Sequence, residues 1–320
     1  MVRRGAWGRA PRGVALINAL VVVAALAAVA VLLMQRAERA RQRLEDILPA
    51  DQAALYLDAA TLQVQAVIEA AIPAEDGAAA PVHPGQGWAE PVRGLDIDRG
   101  QVGWEIADLQ GRFNLTWLQL GADGAEDEQP ALAEDIRAAF ARLAGARGLT
   151  RDQQRRLEQA LIPQLGQRFS AYGRATRPPP LPPVALAELL LIRGLDDAAI
   201  AALRPVVATL PEGAGGLNLN TVSAEVLVAL LPGQSEPSLA AALEAARPFE
   251  SLEAALSWVE ARAGPEAVAL LDALGADIGS AWFEARLQAR LDSTRLRRRV
   301  VMRRTSATCC QISLVLPEIE

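Results

Sequence analysis

The feature that most limits the fold of this chain is an apolar run close to its amino terminus. Val14 to Met34 make up 21 residues, of which only Asn18 is polar. A helix of this length covers roughly 30 Å, the thickness of a bilayer core. The run therefore predicts one membrane-spanning helix at residues 14–34, with most of the chain outside the membrane.

This apolar segment has two interpretations, a cleaved signal peptide or a retained membrane anchor. A cleaved secretory signal peptide is one, because Ala28-Val29-Ala30 fits the A-x-A cleavage pattern. The apolar run continues for four residues beyond that site, whereas a signal peptide more often becomes polar there, so a retained anchor is favoured. Four arginines flank the run on each side, so charge discriminates little between orientations; an amino terminus on the cytoplasmic side is predicted.

The residues before the run favour a specific kind of anchor. A short basic leader that ends in Gly13 and passes directly into an apolar helix resembles the type IV prepilin class. The resemblance implies that a membrane-bound prepilin peptidase cuts between Gly13 and Val14, and that the new amine of Val14 is methylated. Asn18 would then be residue five of the mature chain, a position at which most members of the class carry Glu.

Composition excludes several classes of function. The net charge is -6, so the chain as a whole lacks the basic footprint of a nucleic-acid-binding protein. The one histidine, His83, and the adjacent Cys309 and Cys310 do not form a zinc-type ligand pattern. Motifs of serine hydrolases, zinc proteases and phosphate-binding loops are missing from the sequence, so an enzyme is not predicted.

The pattern beyond the membrane changes period three times. Apolar residues at helical spacing continue to residue 72, with a kink or local break expected at Pro49. A loop at 73–94 precedes alternating residues at 101–107, which predict a strand, and 108–115 is typical of strand, turn and strand. A large helical block follows, and alternation returns at 283–291, with further strands at 296–302 and 311–316. The order favours an α+β sheet domain into which a helical block is inserted.

One motif within the helical block supports a DNA-binding alternative. Residues 217–221 (LNLNT) followed by Ser223-Ala224-Glu225 are similar to the opening of helix-hairpin-helix modules, including those of membrane-anchored competence proteins. Either Thr221 or Ser223 could cap the following helix. The hairpin position reads LPGQS without a Gly-x-Gly turn, and residues 217–262 carry a net charge of -4, which opposes phosphate binding.

The combined pattern resembles the K-type minor pseudopilin of the type II secretion system, the general secretion pathway protein K family. Four features carry the resemblance: the leader, the lack of Glu at mature position five, residues 108–115 (DLQGRFNL), and the 217–221 motif within a helical block. It implies a pilin-like long amino-terminal helix and a small antiparallel sheet, with an inserted all-α domain of helix-hairpin-helix or SAM-like type. The resemblance further implies I- and J-type minor pseudopilins as partners and no nucleic-acid partner. It implies an inner-membrane anchor with a periplasmic carboxy-terminal domain. The implied role is at the tip of the pseudopilus, in filament assembly and protein export.

The predicted organisation has six parts: the leader at 1–13, the membrane helix at 14–34, its periplasmic continuation at 35–72, the first pilin-like part at 73–128, the inserted domain at 129–278, and the second pilin-like part at 279–320.

Family members often bind calcium in the helical domain. This chain has Leu161-Ile162-Pro163-Gln164, without a carboxylate, near the corresponding place, so no ligands are assigned. If Cys309 and Cys310 lie in a strand, their side chains point to opposite faces, which favours free thiols or a bridge to another chain.

The processing hypothesis predicts the mass of the mature protein. After extraction from the membrane, mass spectrometry should find an amino terminus at methylated Val14, because the peptidase leaves the apolar helix in place. A mature terminus at Val31, directly after the A-x-A site, would contradict the pilin-like interpretation.

Overall fold

The computed structural model describes residues 12–72, 80–119, 130–159, 197–210, 216–305 and 309–318. Most of the predicted leader lies outside these residues. So do the acidic loop at 123–128, the segment at 161–164 and the proline-rich connector at 178–183.

The first element is a single long helix, α1 (Arg12–Ala71). Within it, Leu16–Arg39 has the length and mean hydropathy, 2.9, of a membrane span, and its described side chains are exposed. From Ala53 onward every third or fourth side chain is buried: Ala53, Leu57, Ala60, Val64 and Ile68. This periodicity gives the second half of α1 one apolar face for packing.

That face packs on a five-stranded antiparallel sheet with the order β1-β2-β5-β6-β7. The strands are β1 (Val92–Ile97), β2 (Gly100–Asp108), β5 (Trp282–Leu291), β6 (Thr294–Arg303) and β7 (Gln311–Glu318). Alternate residues of β5 enter the core beneath α1, among them Phe283, which meets the Trp88 ring edge-on at 5.4 Å. The alternation in the sequence at 283–291 is thus confirmed as a strand with one buried face.

The chain leaves the sheet after β2 and returns at β5, yet these two strands lie side by side. Their register runs from Gly100 opposite Leu291 to Asp108 opposite Phe283 without a shift. Glycine is needed at residue 100 because a Cβ there would overlap the carbonyl of Arg290. A pairing of this length between strands so distant in sequence brings the two ends of the intervening segment together.

The intervening segment is mostly helical. It contains α2 (Pro130–Ala146), α3 (151–159), α4 (Asp197–Leu203), α5 (Ala224–Leu230), α6 (Glu236–Ala246), α7 (Leu252–Ala263) and α8 (Pro265–Ala273). Two short parallel strands, β3 (Phe113–Asn114) and β4 (Val207–Ala208), lie at its base. These elements share their own apolar core, built around Phe113, Phe140 and many leucines. They are called the helical body below.

Local signals begin and end several of these helices, and Ser223 is one of the two caps that the sequence offers for α5. The hydroxyl of Ser223 accepts a hydrogen bond from the N–H of Val226 and caps α5. Ser251 caps α7 in the same way through the N–H of Ala254. Gly264, at φ 83°, ends α7, and Pro265 opens α8. Positive φ is easily adopted by glycine alone, so the sharp reversal between α7 and α8 depends on this residue.

The helical body joins the sheet at the end of α1 that is farthest from the membrane span. The Arg304 side chain donates to the carbonyl of Ile72 at the end of α1 (3.1 Å), and the Arg304 N–H donates to Ala281 beside β5 (2.7 Å). The N–H of Val82 donates to the carbonyl of Ile278, at the exit of the helical body (2.9 Å). Because α1 has 60 residues, its length of roughly 90 Å separates its two ends.

The structure contradicts two expectations from the sequence, a local break at Pro49 and separate Cys309 and Cys310 thiols. A kink of the helix at Pro49 stays a prediction. The helix is not broken at Pro49, which lies inside α1; the strong helical pattern on both sides outweighs the one hydrogen bond that proline cannot make. The structure also pairs Cys309 with Cys310 in a disulfide. The objection to this pairing assumed strand geometry, whereas both cysteines precede the first residue of β7.

Candidate functional site

The three residues predicted to matter for processing and assembly lie in the first turns of α1. Gly13 and Val14 have helical backbone, and Asn18 follows one turn later with an exposed side chain. Its neighbours Leu16, Ile17 and Leu20 are exposed apolar residues. Cleavage after Gly13 and methylation of Val14 stay predictions.

The two motifs within the soluble part meet at one place. Asp108 ends β2 and opens the 108–115 motif, while Asn218 and Thr221 belong to the 217–221 motif. A hydrogen-bonded junction, called the Asp108 junction below, joins them to Ser280, two residues before β5. The sequence shows each motif but not that they are in contact.

The carboxylate of Asp108 is the centre of this junction. Its Oδ2 accepts hydrogen bonds from the hydroxyls of Thr221 and Ser280, both at 2.5 Å, and from the Asn218 amide at 3.0 Å. Its Oδ1 accepts from the backbone N–H of Gln110 at 2.8 Å. The side chain is buried, and four donors from three chain segments therefore replace its hydration.

Burial raises the pKa of Asp108 above its ordinary value, because desolvation disfavours the charged carboxylate. The hydrogen bonds from Ser280, Thr221, Gln110 and Asn218 act in the opposite direction and lower the pKa, in that order of size. Desolvation is the larger effect. The native state thus binds the Asp108 proton more tightly than the unfolded chain does.

Gln110 supplies the second bridge of the junction. Its side-chain oxygen accepts from the N–H groups of Ala281 and Trp282 at 2.6 and 3.2 Å, and its amide donates to the carbonyl of Gly216 at 3.1 Å. Its own backbone carbonyl accepts from Asn218 at 2.9 Å. One glutamine therefore contacts both the strand that returns to the sheet and the start of the 217–221 motif.

Close backbone approach explains the glycine of the 108–115 motif. A Cβ at Gly111 would stand 2.7 Å from the Thr221 hydroxyl and 2.8 Å from its carbonyl oxygen. Nearby, the Asn220 side chain bonds the backbone of Phe249 through its oxygen and its amide, at 2.7 and 3.0 Å. The two asparagines of the LNLNT motif are thus buried connectors.

A buried ion cluster lies beside the junction. The Arg112 guanidinium stands 3.4 Å from the Glu284 carboxylate of β5, and Arg299 of β6 stands 3.6 Å from its other oxygen. Desolvation lowers the pKa of Arg112, and the charge of Glu284 partly offsets this effect. A buried charge that loses its partner is strongly destabilising, so these residues hold the 108–115 segment against the sheet.

The basic side chains of the helix-hairpin-helix-like region make contacts within the protein. Arg247 donates to the carbonyls of Leu219 and Val222, and burial lowers its pKa to about 10. Arg262 stacks over the Trp258 ring at 4.0 Å. In the turn between α5 and α6, Gly233 adopts φ 92° within LPGQS. These contacts give both arginines a role in folding and do not favour the DNA-binding alternative.

The described part of the chain was also searched for metal ligands and for contacts of the cysteines. Within the described ranges, no group of three or more His, Cys, Asp or Glu side chains is placed to hold a metal ion. The segment near which family members often bind calcium, 161–164, lies outside those ranges. The backbone carbonyl of Cys310 accepts a hydrogen bond from Gln65 of α1 at 2.6 Å, which ties the start of β7 to that helix.

Comparison with known proteins supports a specific class. Residues 111–212 and 217–279 match two domain profiles, each described as type II secretion system (T2SS), protein K. The type II secretion system protein K of Aeromonas hydrophila is 30% identical over 236 residues, which cover 68% of this chain and 70% of that protein. The corresponding protein of Pseudomonas aeruginosa is 32% identical over 245 residues, 71% of each chain.

A solved structure agrees with the fold. A chain in the crystal structure of the GspK-GspI-GspJ complex from enterotoxigenic Escherichia coli aligns with a TM-score of 0.65 at 19% identity, over 88% of this chain and 100% of that one. The class of the protein is that of a minor pseudopilin of type II secretion, with an apolar amino-terminal helix, an antiparallel sheet and a helical body. The chain belongs to the type II secretion system protein K family.

The Asp108 junction predicts a pH-dependent difference between the wild type and Asp108→Asn. As pH rises from about 4 through the raised pKa of Asp108, the wild type should lose stability relative to the variant, because its native state must release a tightly held proton. Chemical denaturation of both full-length proteins in detergent between pH 4 and pH 8 measures this difference. A difference that is constant across the range, or that grows in favour of the wild type at higher pH, would contradict the assignment.

Proposed function

We propose that this protein is the minor pseudopilin at the tip of the type II secretion pseudopilus, where it helps to initiate filament assembly and the export of folded proteins across the outer membrane. The observation that carries the proposal is the position of the helical body, at the end of α1 farthest from the membrane span. A bulky body at this end would prevent another subunit from stacking above. A tip subunit is the one position in a filament that tolerates such a block.

The proposal includes the organisation inferred from the sequence. Residues 129–278 act as an inserted domain between the pilin-like parts at 73–128 and 279–320. The prepilin peptidase cuts after Gly13, α1 crosses the inner membrane once, and the carboxy-terminal domain lies in the periplasm. Family membership supports each of these assignments.

The outward face of α1 fits helical partners. Leu48, Leu55 and Leu62 recur at seven-residue spacing with exposed fractions of 63%, 68% and 66%. They are called the outer stripe here. The opposite face of α1 is covered by the sheet, whereas a heptad seam of leucines is typical of helix–helix packing. We assign the outer stripe to contact with I- and J-type minor pseudopilins, which accompany GspK in the solved complex.

Removing the leucine side chains from the stripe should weaken this contact. In the double variant Leu55→Ala/Leu62→Ala, affinity for the detergent-extracted I- and J-type proteins is expected to fall by about tenfold or more, since each buried leucine contributes about 1.5–3 kcal/mol. Alanine preserves helix propensity. The control is Gln63→Ala, an exposed position beside the stripe. Unchanged affinity in the double variant, or an equal loss in the control, would contradict the assignment.

Asn18 provides a separate test of the tip position. In the prepilin-like class, Glu at mature position five pairs with the terminal amine of a neighbouring subunit, and an unpaired charge in the membrane is costly. A tip subunit has no earlier subunit to dock on, and Asn keeps a hydrogen-bonding group without the charge. Asn18→Glu should therefore reduce secretion, measured as exported protein in the medium, while Asn18→Gln should not. Normal secretion by Asn18→Glu would contradict the proposed role of Asn18. The tip assignment would then rest only on the position of the helical body.

A further inference from the structure

The disulfide between Cys309 and Cys310 lies at the beginning of the outermost strand of the sheet. The two cysteines directly precede Gln311, the first residue of β7. A bond between neighbouring side chains closes a small ring that includes the peptide between them. The disulfide therefore restricts the backbone at the point where the chain enters β7.

This ring is packed into the apolar core between α1 and the sheet. Cys310 is 4% exposed and belongs to the same cluster of buried residues as Leu57, Val64 and Phe283. Cys309 is half-buried and packs against that cluster. Since buried cysteine sulfur packs like a small apolar group, the pair anchors the entry to β7 in the core.

A side chain of α1 bonds the backbone that the ring restricts. The Gln65 amide donates to the carbonyl of Cys310 at 2.6 Å. Seven residues earlier on α1, Asp58 pairs with Arg298 of β6. These two contacts connect one side of α1 to the outer strands of the sheet. A carbonyl accepts a hydrogen bond well only in a suitable orientation, so a fixed backbone at Cys310 supports the bond from Gln65.

The first residues of β7 need such an anchor more than the rest of the strand. Among the described strands, β7 pairs with β6 alone. A register shift separates the pairs that Gln311 and Ile312 make with β6 from the pairs that begin at Leu314. Residues 311–317 include no charged side chain, although charges commonly protect an edge strand from pairing with another chain. Order at the beginning of β7 thus depends on the contacts of Cys310.

We propose that the Cys309–Cys310 disulfide is a redox-sensitive clamp, which fixes the beginning of β7 against α1 and which a dithiol reductant opens. The two cysteines and Gln65 are called the disulfide clamp. Oxidising compartments maintain its closed form. When the disulfide opens, the peptide between the cysteines regains rotational freedom, and the Gln65 bond weakens. This inference does not depend on the tip position proposed above.

Opening the clamp is a thiol–disulfide exchange. A thiolate of the reductant attacks the sulfur of Cys309, the less buried of the two cysteines, and the S–S bond breaks. The Cys310 sulfur keeps the electron pair of that bond and takes up a proton. The second thiol of the reductant then attacks the mixed disulfide, which leaves the reductant as a disulfide and Cys309 as a thiol. Two electrons and two protons pass from the reductant to the chain.

The test is hydrogen exchange of the full-length wild type in detergent, with and without dithiothreitol. Mass spectrometry of its peptides measures the exchange, and alkylation after unfolding verifies the closed and open forms. Reduction should speed exchange at residues 309–313 by about fivefold or more, the change expected for one lost hydrogen bond. Exchange within β5 should not change, because a loop of two adjacent residues constrains the unfolded chain little.

Three results with the wild type would overturn the proposal. The first is unchanged exchange at 309–313 in protein that is verified as reduced. The second is an equal acceleration in β5, since it would show loss of global stability. The third is the presence of free thiols in protein that has never met a reductant.

Two variants separate the disulfide from the hydrogen bond. Cys309→Ala/Cys310→Ala should exchange rapidly at 309–313 without reductant and should not respond to dithiothreitol. Gln65→Leu keeps the disulfide and removes the donor, so it should also exchange rapidly there and respond little. The matched control, Gln63→Ala at an exposed position of α1, should respond as the wild type does. A full response of either clamp variant to dithiothreitol would overturn the proposal.

Discussion

The structure depends on one buried carboxylate. Asp108 stands where the chain leaves the sheet, and the groups that bond it come from the beginning, the middle and the exit of the helical body. A buried acid is unfavourable unless donors replace its hydration, so the network forms only when all of these segments are in place. The hydrogen bond from the Ala281 N–H to Gln110 and the Arg112–Glu284 ion pair connect the same segment to β5, so they too form only when the sheet is in place. The helical body is consequently attached to the sheet by polar contacts whose geometry permits few alternatives.

This attachment connects the fold to a role in a filament. In the proposed filament the long helix makes the contacts between subunits; α1 presents the outer stripe on one face, while the sheet covers the other. The helical body must keep a constant orientation at the distal end of the sheet if it is to cap a filament. Hydrogen bonds and ion pairs at the junction provide that orientation.

Much of the architecture could be predicted because it depends on local patterns. The apolar run, the alternation at 283–291 and the cap at Ser223 are short-range signals, and the structure has a long apolar helix, a strand and a helix cap at these places. The 108–115 and 217–221 motifs could be recognised from the sequence, but their contact could not, because Asp108 bonds Ser280 across 172 positions. Ser280 itself lies in no motif.

The remaining discrepancies have a physical origin in tertiary context. Pro49 stays inside α1 because its helix is continuous on both sides, a balance that local propensity does not report. Cys309 and Cys310 were judged on strand geometry that the segment does not adopt. Glu284 looked like one polar residue of an alternating strand, yet it is buried between Arg112 and Arg299. Only the pairing of distant strands brings those three charges together.

The central claim is that the Asp108 junction makes the sheet and the helical body one cooperative unit. Native-state hydrogen exchange of the full-length protein tests it most directly, through the N–H of Asn218, which bonds Gln110, and the N–H of Leu109, which bonds Trp282. Both amides should open with the same free energy as the amides in the centre of β5. Rapid exchange at Asn218 while β5 stays protected would contradict the claim, since it would show that the helical body detaches from an intact sheet.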